Sequence, residues 1–278
     1  MDTIYNLISI QPLLKSQDPM VQLTYYKELI SKQLEKTTVQ TDFTFICLPE
    51  YAFGNKSNYS KKNISFMHEE LSSFAQEKNS FIIAGSYAFP ENNTWFNRSF
   101  VFDNQGKNSY YYDKTHPFNY ELKNGISPGI NRNIFTAKGL KIKILICADL
   151  WFPEEIRNLK NEKIDLIIVP SMAVVKNIKL VNYGKSLWHS LALIRSKENV
   201  IPLMVSDWAV QPIRGSFTCG SSCIINPSIR WNDETEEKEA FNKFENDIDG
   251  AISSIISKSA ILDYQKYRIE VGLLPDLN

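Results

Sequence analysis

Hydrophobic and polar positions along the 278-residue chain change period many times, and the changes divide it into elements. Residues Ile4 to Ile10 alternate and branch as a strand does, until Pro12 and a polar break end the run. Asp18-Pro19 opens a segment in which Met20, Leu23, Tyr26, Ile30 and Leu34 recur at helical spacing. Phe43-Thr44-Phe45-Ile46-Cys47-Leu48 is almost continuously apolar, as in a strand covered on both faces, and it stops at Pro49-Glu50. Lys56 to Asn63 reads as a polar loop. Met67 to Lys78 reads as a helix with Leu71, Phe74 and Ala75 on one side, and Phe81 to Gly85 as another buried strand.

Trp95 to Asp103 and the run Tyr110-Tyr111-Tyr112 predict two hairpin strands around Asp103-Asn104-Gln105-Gly106-Lys107. A strand pair then ends at Cys147, followed by Pro153-Glu154-Glu155, which suits the first turn of a helix: proline fits its first position and the acids its positive end. Ile164 to Val169 predicts a buried strand, Tyr183 to Asn199 a helix bearing Leu187, Leu191, Ile194 and Arg195 in register, and Val200 to Val205 a strand. Ile252 to Ile256 and Ile261 to Tyr267 read as a final strand and helix. Strands alternating with helices predict a layered α/β domain. No repeat or linker divides the chain, so residues 1–278 are expected to form one domain.

Composition narrows the function classes. Hydrophobic content of 43% and charged content of 22% are near globular averages, and a single domain of this length buries roughly three quarters of its unfolded surface. The 31 basic and 31 acidic residues cancel, so no charge excess points to nucleic acid or an anionic membrane. The N-terminal residues lack a cationic region before their apolar run, and no stretch approaches the roughly 20 apolar residues of a membrane span, which predicts a soluble, cytoplasmic protein. Cys47, Cys147, Cys219 and Cys223 suit a reducing compartment and make no disulfide framework. Cys219 and Cys223 lack a second Cys or His pair at zinc-site spacing, and His68, His116 and His189 are scattered, so neither a metal site nor any cofactor is expected. The acidic run from Asn232 to Glu239 reads as a solvated loop or helix start.

Three reactive side chains occupy equivalent places. Glu50, Lys114 and Cys147 each follow a predicted strand, and strands that end together bring such groups to one crevice. A carboxylate at a sheet edge can gain basicity through partial desolvation. A thiol there can work beside free backbone N–H groups, although a lone strand cysteine is as commonly a small core residue.

Leu48-Pro49-Glu50, Tyr112-Asp113-Lys114-Thr115-His116 and Ile146-Cys147-Ala148-Asp149-Leu150-Trp151-Phe152-Pro153-Glu154 resemble, in order and approximate spacing, the nitrilase or carbon–nitrogen hydrolase superfamily. Glu121 ahead of Ser127-Pro128-Gly129 is similar to the family's second glutamate. Trp188 with Arg195 and Glu198-Asn199, then Gly220-Ser221-Ser222 and Pro227, resemble its later motifs, so the likeness runs from the first strand to about Asp263. The resemblance implies an αββα sandwich that dimerises, with the C-terminal segment 251–278 contributing to the interface. It implies that Cys147 is the nucleophile, Glu50 the general base and acid, Lys114 with the backbone N–H of Ala148 the oxyanion donors, and Glu121 an orienting residue. His116 reads as a structural hydrogen-bonding residue.

Nitrile-cleaving members usually carry Trp-Glu after the cysteine, whereas amidases and carbamoylases commonly show Cys-x-Asp. Cys147-Ala148-Asp149 therefore favours a small-molecule amide as substrate. Two departures stand out: Ala148 replaces a larger residue, and Asp207-Trp208 stands where asparagine is common. Trp151 occupies a place where several members acting on carboxylate-bearing substrates have arginine, and an indole cannot pair with a carboxylate as a guanidinium does. Phe118, Trp151, Trp188 and Trp208 are candidates for an aromatic substrate pocket, though aromatics at such positions are more often core. Nitrile or N-carbamoyl hydrolysis, acyl transfer to an amine, and an inactive metabolite-binding member are the alternatives.

Overall fold

The computed structural model describes residues 2–130, 133–157, 162–229 and 234–274. In the N-terminal half, β1 (Ile4–Gln11) leads to α1 (Pro19–Lys36), β2 (Phe43–Cys47), α2 (Lys61–Glu77), β3 (Ser80–Ile83), β4 (Tyr87–Glu91), β5 (Thr94–Phe102), β6 (Asn108–Asp113) and the short α3 (Asn119–Lys123). The second half has β7 (Ile134–Ala137), β8 (Leu140–Ile144), β9 (Leu166–Pro170), β10 (Val174–Val175), α4 (Val181–Asn199), β11 (Leu203–Ser206), β12 (Pro212–Ile213), β13 (Ser216–Thr218) and β14 (Cys223–Ile225). It closes with α5 (Glu234–Ala240), β15 (Phe241–Lys243), β16 (Gly250–Ser257) and α6 (Lys258–Glu270).

Two sheets form the centre. One has the order β16-β1-β2-β3-β5-β4 with β6 paired to β5, and the other the order β15-β14-β11-β9-β8-β7. Side chains alternate along each strand, so each sheet has an inner and an outer apolar face. Tyr5, Leu7, Phe45, Phe81 and Val101 of the first sheet meet Ile142, Ile144, Leu166, Ile168, Met204 and Ile224 of the second in one core. The first sheet's outer face, with Ile8, Ile10, Ile46 and Ile82, is covered by Leu23, Tyr26 and Ile30 of α1 and Met67, Leu71 and Phe74 of α2. On the far side, Trp188 and Ala192 of α4 cover Ile167, Val169, Leu203 and Val205. The architecture is the expected αββα sandwich. The hydroxyl of Ser9 crosses between the sheets to donate to the Val205 carbonyl at 2.7 Å.

Local chemistry sets the helix limits. Asp18 accepts from the Met20 amide at 2.8 Å and caps α1, with Pro19 at its first position. The loop expected through Asn63 is shorter: Ser60 accepts from the Asn63 amide, and α2 begins at Lys61. Its first turn is polar because it faces solvent, and only from Ile64 does the helix bury apolar residues. The helix expected after Pro153 is a single tight turn, Pro153–Glu155, because Glu155 turns back to accept from Asn133 at 2.8 Å. The acidic run is described only from Glu234, where α5 begins; Asn232 and Asp233 lie outside the described residues. At the end of the chain, β16 returns to pair antiparallel with β1, from Ile4 opposite Ser257 to Gln11 opposite Gly250.

Among the described residues, no helix is long and apolar enough to cross a membrane. The four cysteines are free thiols, with Cys47, Cys219 and Cys223 buried.

Candidate active site

β2 ends at Cys47, and the chain then turns sharply to carry Glu50 across the strand ends. The turn is held by the Glu50 amide, which donates to the Ser171 carbonyl at 3.1 Å beyond β9, and by the Ala52 amide, which donates to Ser86 at 2.9 Å. Gly85 is required beside it. A side-chain carbon there would lie 2.0 Å from the Pro49 carbonyl oxygen, and its φ of +61° favours glycine in any case.

Lys114 follows β6, and its amide donates to the Asn97 carbonyl of β5 at 2.9 Å. Its ammonium is buried between two carboxylates, 2.6 Å from Glu50 Oε1 and 2.6 Å from Glu121 Oε2. Glu121 lies in the first turn of α3, where Oε2 also accepts the Phe118 amide at 2.7 Å. The Tyr51 hydroxyl donates to Glu121 Oε1 at 2.6 Å.

Cys147 lies three residues beyond the end of β8 and heads the tight turn Cys147–Trp151 with a left-handed φ of 47°. Such backbone conformations are disfavoured for residues with a side chain and concentrate at functional sites. Asp149 holds the turn: fully buried, it accepts from the Ile146 amide at 2.9 Å, the Tyr112 hydroxyl at 2.8 Å and the His116 amide at 2.8 Å. The ring of His116 reaches Asp149 at 3.1 Å and stacks on Phe152 at 3.7 Å between centroids. The thiol lies 3.9 Å from the Met172 carbonyl and feels the charges of Glu50 and Lys114. Ala148 is second in the turn, where a backbone N–H has no partner inside the helix.

The charges set one another. Burial pushes the Glu50 carboxyl up, Lys114 opposes that and Glu121 reinforces it, for a value of about 7. Burial disfavours the Lys114 ammonium, yet Glu50, Cys147 and Glu121 outweigh it and hold the lysine above its ordinary value. Burial and then the Glu50 charge push the Cys147 thiol well above the usual thiol range, against the pull of Lys114. The resting pair is therefore a thiol beside a carboxyl that titrates near neutrality, an arrangement able to pass a proton between them.

Glu50, Lys114, Glu121 and Cys147 thus come together as the sequence predicts. The aromatic residues do not form one wall. Trp151 is half-exposed and meets Trp188 edge to face at 5.9 Å, which makes a pair beside the thiol turn. Phe118 is 62% exposed and makes no ring contact with either tryptophan. Trp208 is core, packed against Tyr26 at 6.4 Å, because its indole N–H is consumed by the Glu50 main-chain carbonyl at 2.7 Å. Asp207 is buried beneath the site and accepts the Ala173 amide at 3.0 Å, the Trp208 amide at 2.9 Å and the Ser221 amide at 2.9 Å.

Sequence reasoning missed Asn97. It is fully buried, and its side-chain amide donates to Glu50 Oε1 at 2.9 Å and to Glu121 Oε1 at 2.8 Å. An asparagine in the middle of the aromatic-rich strand Trp95-Phe96-Asn97-Arg98-Ser99-Phe100 was the available signal, since buried amides need partners.

Residues 10–240 match the family model described as carbon-nitrogen hydrolase. An omega-amidase of Saccharomyces cerevisiae, NIT3, is 25% identical over 231 residues, covering 76% of this chain and 76% of that protein. A 2-oxoglutaramate amidase of Bacillus subtilis is 24% identical over 221 residues, covering 77% of this chain and 82% of that protein. The crystal structure of Saccharomyces cerevisiae Nit3, a member of branch 10 of the nitrilase superfamily, superposes with a TM-score of 0.75 at 19% identity, covering 95% of this chain and 94% of that one. An amidase from Nesterenkonia sp. AN1 superposes with a TM-score of 0.71 at 18% identity, over 98% of this chain and 97% of that one. That structure is of a variant carrying the acetamide moiety of fluoroacetamide on its active-site cysteine. The chain belongs to the carbon–nitrogen hydrolase family of the nitrilase superfamily.

Proposed function

We propose that the protein hydrolyses the C–N bond of a small amide through a thioester on Cys147. The observation that carries this reading is the buried Glu50–Lys114–Glu121 cluster beside that thiol. Family membership and the amidase names of the relatives support it.

In this reading Glu50 removes the thiol proton as Cys147 Sγ attacks the amide carbonyl carbon. The carbonyl oxygen becomes an oxyanion facing the Ala148 N–H and Lys114. An ammonium has three donors, and two of those on Lys114 are held by Glu50 and Glu121, which leaves the third for the oxyanion. Glu50 then passes its proton to the departing nitrogen, the C–N bond breaks and ammonia or an amine leaves. Water enters, gives a proton to Glu50 and attacks the thioester carbon, and the sulfur departs with that proton as the acid is released. Glu121, tied by Tyr51 and the Phe118 amide, orients Lys114.

The Trp151–Trp188 pair and the absence of an arginine at 151 favour an acyl group that is apolar or uncharged over one ending in a carboxylate. Phe118, exposed and with its amide on Glu121, is assigned to the rim of the substrate site. Residence in a reducing cytoplasm fits the free thiols. A homodimer belongs to the same proposal. Tyr183, Leu187 and Ile194 leave an apolar row exposed at helical spacing on α4, a surface suited to a second copy, with the segment 251–278 contributing.

The test is ammonia release by wild-type and Cys147→Ala protein across aliphatic amides, aromatic amides, dicarboxylic monoamides, N-carbamoyl compounds and nitriles. Release from an amide that disappears in the variant supports the proposal. Turnover unchanged in Cys147→Ala would refute it.

A further inference from the structure

We propose that Asn97 is a positioning residue for this chemistry: its side-chain amide clamps Glu50 to Glu121 so that one Glu50 oxygen is held free for the Cys147 thiol. The inference rests on the amide-hydrolysis reading and adds to it the residue that aims the base.

The bonds divide the two Glu50 oxygens between two tasks. Lys114 Nζ at 2.6 Å and Asn97 Nδ2 at 2.9 Å both donate to Oε1. Oε2 takes neither of these donors and is left for the Cys147 thiol, whose titration responds to the same carboxylate. The second hydrogen of the Asn97 amide goes to Glu121 Oε1 at 2.8 Å, so one rigid, planar group spans both acids.

Its neutrality matters as much as its reach. The groups facing Glu50 are Lys114, Glu121, Cys147 and, through Glu121, the Tyr51 hydroxyl. One ammonium stands against two buried carboxylates, which leaves a net negative charge in the cluster. A second cation in place of Asn97 would cancel that charge and weaken the base. An amide holds the carboxylates together and leaves the charge in place.

The strand pairing fixes the clamp. Arg98 and Asp113 are register partners, and on one face of the sheet the guanidinium grips the carboxylate at 2.6 Å and 2.8 Å. Alternation turns the adjacent residues, Asn97 and Lys114, to the opposite face together. Their backbones are joined by the Lys114 amide and the Asn97 carbonyl.

The experiment compares wild type, Asn97→Ala, Asn97→Ser and Asn97→Asp. It measures kcat, KM and the pH profile on the amide that is turned over, and it also measures the rate at which iodoacetamide alkylates Cys147, followed by intact mass. Alkylation needs no amide substrate. Asn97→Ala should lower kcat about ten- to a hundred-fold with KM changed less than about threefold. Loss of a donor to the carboxylate raises its pKa, so the acid limb should move to higher pH and alkylation at neutral pH should slow about tenfold. Asn97→Asp should move the limb further, and Asn97→Ser, with one shorter donor, should fall between wild type and Asn97→Ala. A folded Asn97→Ala or Asn97→Ser protein with wild-type kcat, pH profile and alkylation rate would overturn the proposal, whatever its melting temperature. If wild type cleaves no amide yet the variants still alkylate slowly, the amidase reading fails and the clamp stands.

Discussion

The indole N–H of Trp208 donates to the main-chain carbonyl of Glu50 at 2.7 Å, joining residues 158 positions apart. The bond anchors the turn that carries Glu50 to the segment just beyond β11. Trp208→Phe keeps most of the buried ring and leaves that carbonyl unpaired, which should cost about 1–3 kcal/mol of stability. It should also lower kcat, because the Glu50 turn loses its anchor. Urea unfolding and steady-state kinetics check both; a wild-type midpoint with wild-type kcat would show that the bond carries nothing.

If Glu50 is the base, as proposed, it sets the response to pH. Its carboxyl is pushed up to about 7 by burial, and only the ionised form can take the thiol proton. As pH falls through that value the base is lost, so kcat/KM should fall with unit slope below about pH 7. Lys114 stays cationic above neutrality, so it adds no loss on the alkaline side in that range. A profile that stays flat from about pH 5.5 to pH 8 would require a different base.

Lys114 balances two buried carboxylates 2.6 Å away on either side. Lys114→Met removes the only cation in contact with them among the described residues, and breaking a buried ion pair this way costs about 3–5 kcal/mol. Activity should fall at least about a hundred-fold through loss of the oxyanion donor. Lys114→Arg should not restore it, since a planar fork cannot put one donor on each carboxylate and a third on substrate in the same space. Thermal melts and kcat on the same samples test the claim, and an active, stable arginine variant would contradict it.

The layers were legible because apolar periodicity reports burial. β2 and β9 are buried at every position and read as apolar runs, and the tyrosine run marked β6 by its hairpin. The cluster of Glu50, Lys114 and Cys147 was legible because each follows such a strand. Short strands such as β10 and β12, with two residues each, carry too few positions for a period to show. Partners hidden in three dimensions were also missed: Asn97 reads as an interruption in a strand until Glu50 and Glu121 meet it. Trp208, a pocket candidate by type, is core because a main-chain acceptor far along the chain takes its N–H.

Asp149 ties the thiol turn to the Lys114 segment by accepting from Ile146, Tyr112 and His116. Asp149→Ala leaves those donors unpaired in a buried site, and a loss of about 3–5 kcal/mol is expected. The left-handed backbone at Cys147 should then relax, and acylation should slow by about a hundred-fold or more. Single-turnover acylation separates this from slower thioester release. Normal acylation in a folded Asp149→Ala protein would mean that the turn holds itself.

Asp207 gives a stability test independent of activity. Burial pushes its carboxyl from 3.8 up to about 6, against the pull of Ser221, Ala173 and Trp208 donors. The folded state therefore binds the proton more tightly than the unfolded chain does. The stabilisation from that proton is fully present below the unfolded pKa and is lost as pH rises through the folded one. The shift corresponds to about 3 kcal/mol, lost between about pH 4 and pH 6. Glu50 and the histidines titrate in both proteins, so the comparison is between wild type and Asp207→Asn, where residue 207 no longer titrates. Relative to the variant, wild type should lose about 3 kcal/mol on going from about pH 4 to pH 7, read from urea midpoints. A difference that stays constant across that range would mean Asp207 is ionised throughout and held by its donors alone.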